Sequence, residues 1–263
     1  MSNFQGKTII ITGAAMGLGL ATAKELATKG ANLVLVDYNQ ESLTKAEQEI
    51  ATQFPAIRLL TVMADVSEEA AVQHYVDETV KAFGRIDGFY NNAGIDGTQA
   101  SVVDYDLAIF KKIIDINLMG VYYGLRHVLP VMQQQQYGRI VNVASVAGLR
   151  AVVNYTPYVA SKHAVVGMTK STALEYGRYG IMTNAVAPGA ILTHLTSEGF
   201  KQLNPADPEK AQADFTRNNP TKRLGLPEEV AKVVCFLLSD EASYVNGQTI
   251  AVDGGESSIY GNI

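Results

Sequence analysis

Tyr158 and Lys162 stand four residues apart in the stretch Asn154-Tyr155-Thr156-Pro157-Tyr158-Val159-Ala160-Ser161-Lys162. On a helix this spacing sets both side chains on one face, one turn from each other. Pro157 suits the first turn of such a helix, where its missing N–H has no intrahelical partner. A phenol beside an ammonium can move protons. A free tyrosine, with a pKa of about 10, is a poor base at neutral pH. A close cation favours the phenolate and lowers that pKa by roughly 1–3 units. Tyr158 could then give a proton to a carbonyl oxygen or take one from an alcohol. The chain holds 13 tyrosines and 13 lysines, so about 0.6 pairs at this spacing arise by chance. The pair therefore gains weight only from its surroundings.

The elements that must position it alternate along the chain. Thr8 to Thr12 is a β-branched run, followed by the turn Gly13-Ala14-Ala15-Met16-Gly17-Leu18-Gly19 and a helical segment to Lys29. Strand, glycine turn and helix start make an anion site, because backbone N–H groups and the helix dipole both face the ligand. Leu33 to Val36 is an apolar strand ending at Asp37, where a ribose 2′-hydroxyl would be held. A tight turn with a capping aspartate is the plainer reading, and the flanking apolar strands favour the nucleotide.

Further strands are expected at 57–63, 86–90, 138–143, 182–186 and 249–252. Helices are expected at 40–52, 68–83 (capped by Ser67), 106–132, from Tyr158 to Tyr176, and 227–238. Apolar strands alternating with helices predict an α/β fold. It is a single doubly wound, Rossmann-type parallel sheet of about seven strands with helices on both faces. No composition break or linker divides the chain, so residues 1–263 read as one domain, with a variable-looking stretch at about 190–226. The glutamines at 133–136 read as a solvated helix end.

Composition bounds the function. Hydrophobic residues make up 47% and charged residues 18%, which excludes a disordered chain. A net charge of −5 offers no footprint for nucleic acid or an anionic membrane surface. No apolar run reaches the length of a membrane span. The N-terminus, Met1-Ser2-Asn3-Phe4-Gln5-Gly6-Lys7, lacks the apolar core of a signal peptide. The single Cys235 sits in an apolar run and reads as a core residue. Together these predict a reduced, cytoplasmic setting.

In a doubly wound sheet the ligand lies outside the carboxyl ends of the strands. The polar and glycine-rich features collect there: Gly13 to Gly19, Asp37, Asp65, Asn91-Asn92-Ala93-Gly94, Ser145 and Pro188-Gly189. The glycine spacing is Gly-x-x-x-Gly-x-Gly rather than Gly-x-Gly-x-x-Gly. With Asn117 and Tyr158-x-x-x-Lys162, this set resembles the short-chain dehydrogenases/reductases from Gly6 to Gly255.

The resemblance implies Tyr158 as general acid/base and Lys162 as the group that lowers its pKa and holds the nicotinamide ribose. Ser145 would orient the substrate oxygen, and Asn117 would serve a water-linked proton relay. Residues 1–263 would be one NAD-binding domain with a substrate loop at about 190–226, and the cofactor would be NAD. It would be held by Gly13, Met16, Gly17, Leu18, Gly19, Asp37, Asp65, Val66, Asn92, Ala93, Gly94, Tyr158, Lys162, Pro188, Gly189, Ile191 and Thr193. The substrate would meet Ser145, Ala147, Tyr155, Tyr158 and Leu195, with Val146, Ala190, Leu192 and Phe200 as further pocket candidates.

No arginine or lysine is placed to clamp a carboxylate, so an uncharged ketone or secondary alcohol is expected. No clustered cysteine or histidine ligands suggest a metal, and His74, His127, His163 and His194 read as structural, with some reserve for His194. Residues 198–226, with Asn204-Pro205-Ala206-Asp207-Pro208, are similar to levodione-reductase-like and cyclic-alcohol dehydrogenase members. A 3-oxoacyl-carrier-protein reductase and a non-catalytic dinucleotide-binding protein are the alternatives. Asp37 argues against the NADP of the first, and the intact Tyr158–Lys162 pair against the second. Family members are mostly homotetramers, and Ala160, Ala164, Gly167, Gly120 and Gly124 fit close helix approach.

Overall fold

The computed structural model describes residues 3–217 and 219–258, so Met1 and Ser2 of the N-terminal stretch lie outside the described residues. Seven strands, all parallel, form one sheet: β1 (Thr8–Thr12), β2 (Asn32–Asp37), β3 (Leu59–Met63), β4 (Gly88–Asn91), β5 (Gly138–Val143), β6 (Ile181–Pro188) and β7 (Thr249–Val252). Their order is β3-β2-β1-β4-β5-β6-β7. The chain winds outward from β1 in one direction and then from β4 in the other. A crevice therefore opens between β1 and β4 at their carboxyl ends.

Strand residues alternate between two cores. Ile9, Ile11, Leu33, Leu35 and Val143 face α1 (Gly17–Thr28), α2 (Gln40–Gln53) and α9 (Pro227–Leu238). Ile10, Val34, Val36, Phe89 and Ile140 face α3 (Glu69–Phe83), α5 (Gly120–Gln135) and α6 (Thr156–Tyr176). Inner strands are buried on both faces, which is why they read as unbroken apolar runs. The edge strands β3 and β7 are partly exposed and were not apolar throughout for that reason. Cys235 lies in the first core, and burial pushes its thiol up to about 12.

Three expectations change. Ser67 does not cap α3. Asp65 takes the Ser67 N–H and hydroxyl on one oxygen, a local turn that ends before Glu68 becomes the cap. The helix expected over 106–132 begins as α4 (Leu107–Ile114), capped by Asp106, and passes through a π turn at Asp115–Met119 before α5. The expected solvated glutamines are solvated only in part, since Gln135 accepts from the Ile86 N–H and donates to its carbonyl. The stretch after β6 is also more ordered than its composition suggests. It forms α7 (His194–Leu203) and α8 (Pro208–Arg217), and a bridge between Ile191 and Gly225 closes its base.

Candidate active site

Two loops meet in the crevice. Gly13 and Gly17 hold φ of +62° and +54°, which glycine alone adopts freely. A Cβ on Gly19 would stand 2.0 Å from the Gly13 carbonyl oxygen, so the turn and the start of α1 close only without side chains. The Thr12 hydroxyl accepts from the N–H groups of Asn92 and Ala93, and the Asn92 amide donates to the Thr12 and Gly13 carbonyls at 2.8 and 3.2 Å. The loop after β4 is thereby sewn to the glycine turn. Met16 gives α1 no side-chain cap, which leaves its first N–H groups free to meet a phosphate.

Asp37, 7% exposed, accepts the Ala15 N–H at 3.1 Å and the Asn39 N–H at 3.0 Å. A carboxylate oxygen takes more than one hydrogen bond, so both remain open to a diol. Asp65 is exposed at the end of β3, and Val66 packs against Gly120. The loop after Pro188 and Gly189 brings Thr193 within 3.6 Å of a Cβ built on Gly17, with Ile191 buried beneath. These residues fit a dinucleotide: glycine cradle, uncapped helix, and a buried carboxylate at the end of β2.

The second group stands beside it. Pro157 occupies the first turn of α6, as expected, and Tyr158 and Lys162 follow on the face turned to the sheet. The Lys162 ammonium donates to the Val143 carbonyl at 2.8 Å and lies 5.5 Å from the centre of the Tyr158 ring. Burial lowers the Lys162 pKa to about 8. Burial also raises the Tyr158 phenol above its ordinary value. The charge of Asp96 raises it further, and a hydrogen bond with Ser145 lowers it. The lowering expected from Lys162 does not appear here: the loss of water around the phenol leads, and Ser145 alone opposes it. Ser145 follows β5 and accepts from the Ala147 N–H at 3.1 Å. Asn117, fully buried in the π turn, clasps the Ile95 backbone at 2.8 and 2.7 Å. Its amide oxygen lies 3.1 Å from a Cβ built on Gly94, and the Lys162 ammonium lies 3.6 Å from the same point.

On the substrate side, Tyr155 packs edge-on to Tyr158 with ring centres 6.2 Å apart. Ala147 and Val146 are buried, while Leu192 and Leu195 are exposed at the edge of α7. Phe200 does not line this pocket. It turns into a separate cluster with Ala211 and Leu224, stacked edge-on against Phe215. His194 opens α7 on the surface and joins nothing in the site. Asp96 and Gln99 went unseen in the sequence. Gln99 donates to the Tyr155 hydroxyl at 2.9 Å. Burial pushes the Asp96 carboxyl up to about 6, against the opposing pull of the Lys162 charge and a hydrogen bond with Tyr155. Only their place two and five residues after Gly94 could have drawn attention to them.

The family described as Enoyl-(Acyl carrier protein) reductase matches residues 13–257. Levodione reductase from Leifsonia aquatica is 49% identical over 98% of this chain and 97% of its own. The chain belongs to the short-chain dehydrogenase/reductase family. Cyclohexanol dehydrogenase from Acinetobacter sp. (strain SE19) is 39% identical, over 98% of both chains. A crystal structure of levodione reductase superimposes with a TM-score of 0.97, covering 98% of this chain and 100% of that one. The crystal structure of NAD+-bound xylitol dehydrogenase does so at 0.92, with 35% identity, over 96% and 99%. This short-chain dehydrogenase/reductase is an NAD-dependent oxidoreductase acting on CH–OH groups and interconverting ketones and secondary alcohols. Among the described residues no helix is long and apolar enough to cross a membrane.

Proposed function

We propose that the enzyme reduces a small, uncharged cyclic ketone, or oxidises the matching alcohol, with Tyr158 as general acid/base. The observation that carries this reading is the meeting of Ser145, Tyr158 and Lys162 at the end of β5, beside the glycine turn. The two named relatives that act on levodione and cyclohexanol support the ring. NAD supplies or accepts the hydride when bound. The chain supplies the rest. The Ser145 and Tyr158 hydroxyls meet the substrate oxygen and stabilise the charge that grows on it. The buried Lys162, its pKa lowered to about 8, titrates in the working range beside the phenol. Asn117 holds the Ile95 loop against the ammonium and, with its remaining hydrogen-bonding capacity, serves a water-linked proton relay. The glycine turn, Asp37, Asp65, Val66, Asn92 to Gly94, Pro188, Gly189, Ile191 and Thr193 bind the dinucleotide. Ala147, Tyr155 and Leu195 face the ring.

The chain works as one unit, residues 190–226 forming the substrate loop, in the cytoplasm and as a homotetramer. An open groove between α5 and α6, lined by Tyr122, Leu125, Met168, Thr172 and Tyr176, supports the last point. Neither a nucleic acid nor a membrane is a partner. Assaying cyclohexanone with NADH and cyclohexanol with NAD+, by absorbance, tests the reading. Turnover of neither, with open-chain or charged ketones reduced instead, would overturn the substrate class.

A further inference from the structure

The loop after β5 carries Ser145, a single turn at Val146–Gly148, then Leu149 and Arg150. On one side it rests on α6, where a Cβ on Gly148 would stand 2.7 Å from the Lys162 carbonyl oxygen. On the other, Arg150 reaches the segment beyond β7. One guanidinium nitrogen donates to the Glu256 carbonyl at 2.9 Å, and the other donates to Glu256 Oε1. Among the described residues this is the hydrogen-bonded link between the two segments. The Glu256 side chain is only 13% exposed. Its Oε2 has no aligned donor, lies along the Ala190 backbone, and stands 3.1 Å from a Cβ built on Gly189.

Gly189 begins the loop that leads through Ile191 and Thr193 into α7, and its N–H donates to the Val252 carbonyl at 3.1 Å. Three strand-end loops therefore converge on one ion pair. The charged neighbours are Asp253, which takes the Gly255 and Ser257 N–H groups, and the Arg223–Glu229 pair across the adjoining cleft. Asp253 shapes its own turn and acts on Arg150 and Glu256 through its charge, with no hydrogen bond to the loop after β5 among the described residues.

We propose that Arg150 and Glu256 form a latch that fixes the substrate-side wall, Ser145 to Ala147, against the wall that starts at Gly189. Both are positioning residues. The inference rests on Ser145 and Ala147 meeting the substrate, as proposed above. Tyr158 and Lys162 are held by α6 and Val143, independently of the latch. Opening it loosens the Ala147 side of the pocket, while Ser145, directly after β5, stays beside the proton-transfer pair, which raises KM more than it lowers kcat.

The variants are Glu256→Gln, which keeps the shape and removes the charge, Arg150→Met, Arg150→Lys, and the exchange Arg150→Glu with Glu256→Arg. With cyclohexanone and saturating NADH, the first two should raise the ketone KM about five- to tenfold and keep kcat within about twofold. Arg150→Lys and the exchanged pair should recover part of the loss. A ketone KM within about twofold of wild type in both Glu256→Gln and Arg150→Met, or a fall in kcat at constant KM, would overturn the latch. Amide hydrogen exchange over residues 145–150 reads it without turnover: Glu256→Gln should exchange faster there, and unchanged protection would also overturn it. Tyr158→Phe run alongside separates the two ideas, since retained turnover in that variant defeats the site reading whatever the latch does.

Discussion

The two walls of the crevice are built differently. The wall proposed for the cofactor is pinned through its backbone: glycines at 13, 17 and 19, and N–H groups held by the Thr12 hydroxyl and by Asp37, which takes those of Ala15 and Asn39. The substrate wall is made of side chains from distant segments, with Tyr155 at the start of α6, Asp96 and Gln99 after β4, and Leu195 on α7. A backbone cradle suits a ligand whose shape never changes. A side-chain wall can be rewritten one residue at a time, and the proposed site puts substrate choice there.

Breaking the seam between the walls should give the largest effect. Tyr158→Phe should lose at least about 100-fold in kcat, and up to about 10⁴-fold, while binding NADH normally. Retention of more than about a tenth of the wild-type rate would remove Tyr158 from the chemistry.

The cofactor wall predicts selectivity. NADP places a phosphate beside Asp37, and no basic residue occupies 14–16 or 38–40. Two unit charges 4 Å apart interact by about 4 kcal/mol at an effective dielectric of ~20, before salt screening. Half of that gives a preference for NADH of roughly 30-fold in kcat/KM. Asp37→Ser with Tyr38→Arg should narrow or reverse it. Equal wild-type values for the two cofactors would show that Asp37 does not face the ribose.

Alcohol oxidation should rise with pH through the first proton lost from the Tyr158–Lys162 pair, near the Lys162 value of about 8. Lys162→Met leaves only the buried phenol, so the rising limb should move upward by about one unit or more. An unchanged profile would assign the limb to another group.

The smallest effect concerns Asp96. Its carboxyl is raised from 3.8 to about 6 in the folded chain. Its contribution to stability is therefore full below its unfolded pKa and is lost as pH rises through about 6. Asp96→Asn should be more stable than wild type at pH 8, by at most about 3 kcal/mol, and the gap should close by about pH 4. Thermal melts across that range would show it, and a gap independent of pH would contradict it.

The contrast between the walls also explains what could be read beforehand. The glycine turn, Asp37 and the Tyr158 helix were legible because each is fixed by neighbours in sequence: strand, turn, helix and a proline in the first turn. The sheet followed from the same local rhythm. Asp96 and Gln99 were not legible, since nothing near them says that Tyr155, more than fifty residues on, will meet them. Phe200 was misplaced for the same reason, because an aromatic residue in a loop gives no sign of which cluster receives it. The cap at Ser67 failed on a nearer competitor, the Asp65 carboxylate, which took the serine first.

The π turn at Asp115–Met119 has a consequence for editing the chain. A π turn is a helix carrying one residue too many, so losing one residue there mends the helix instead of breaking it. Deleting Ile116 would let α4 run straight into α5 as an ordinary helix while Asn117 swings away from Ile95. Helix content would survive and the loop beside the lysine would lose its clasp. Shortening the gene by that codon should keep the fold and cost the clasp beside the lysine, and circular dichroism with an activity assay would show it.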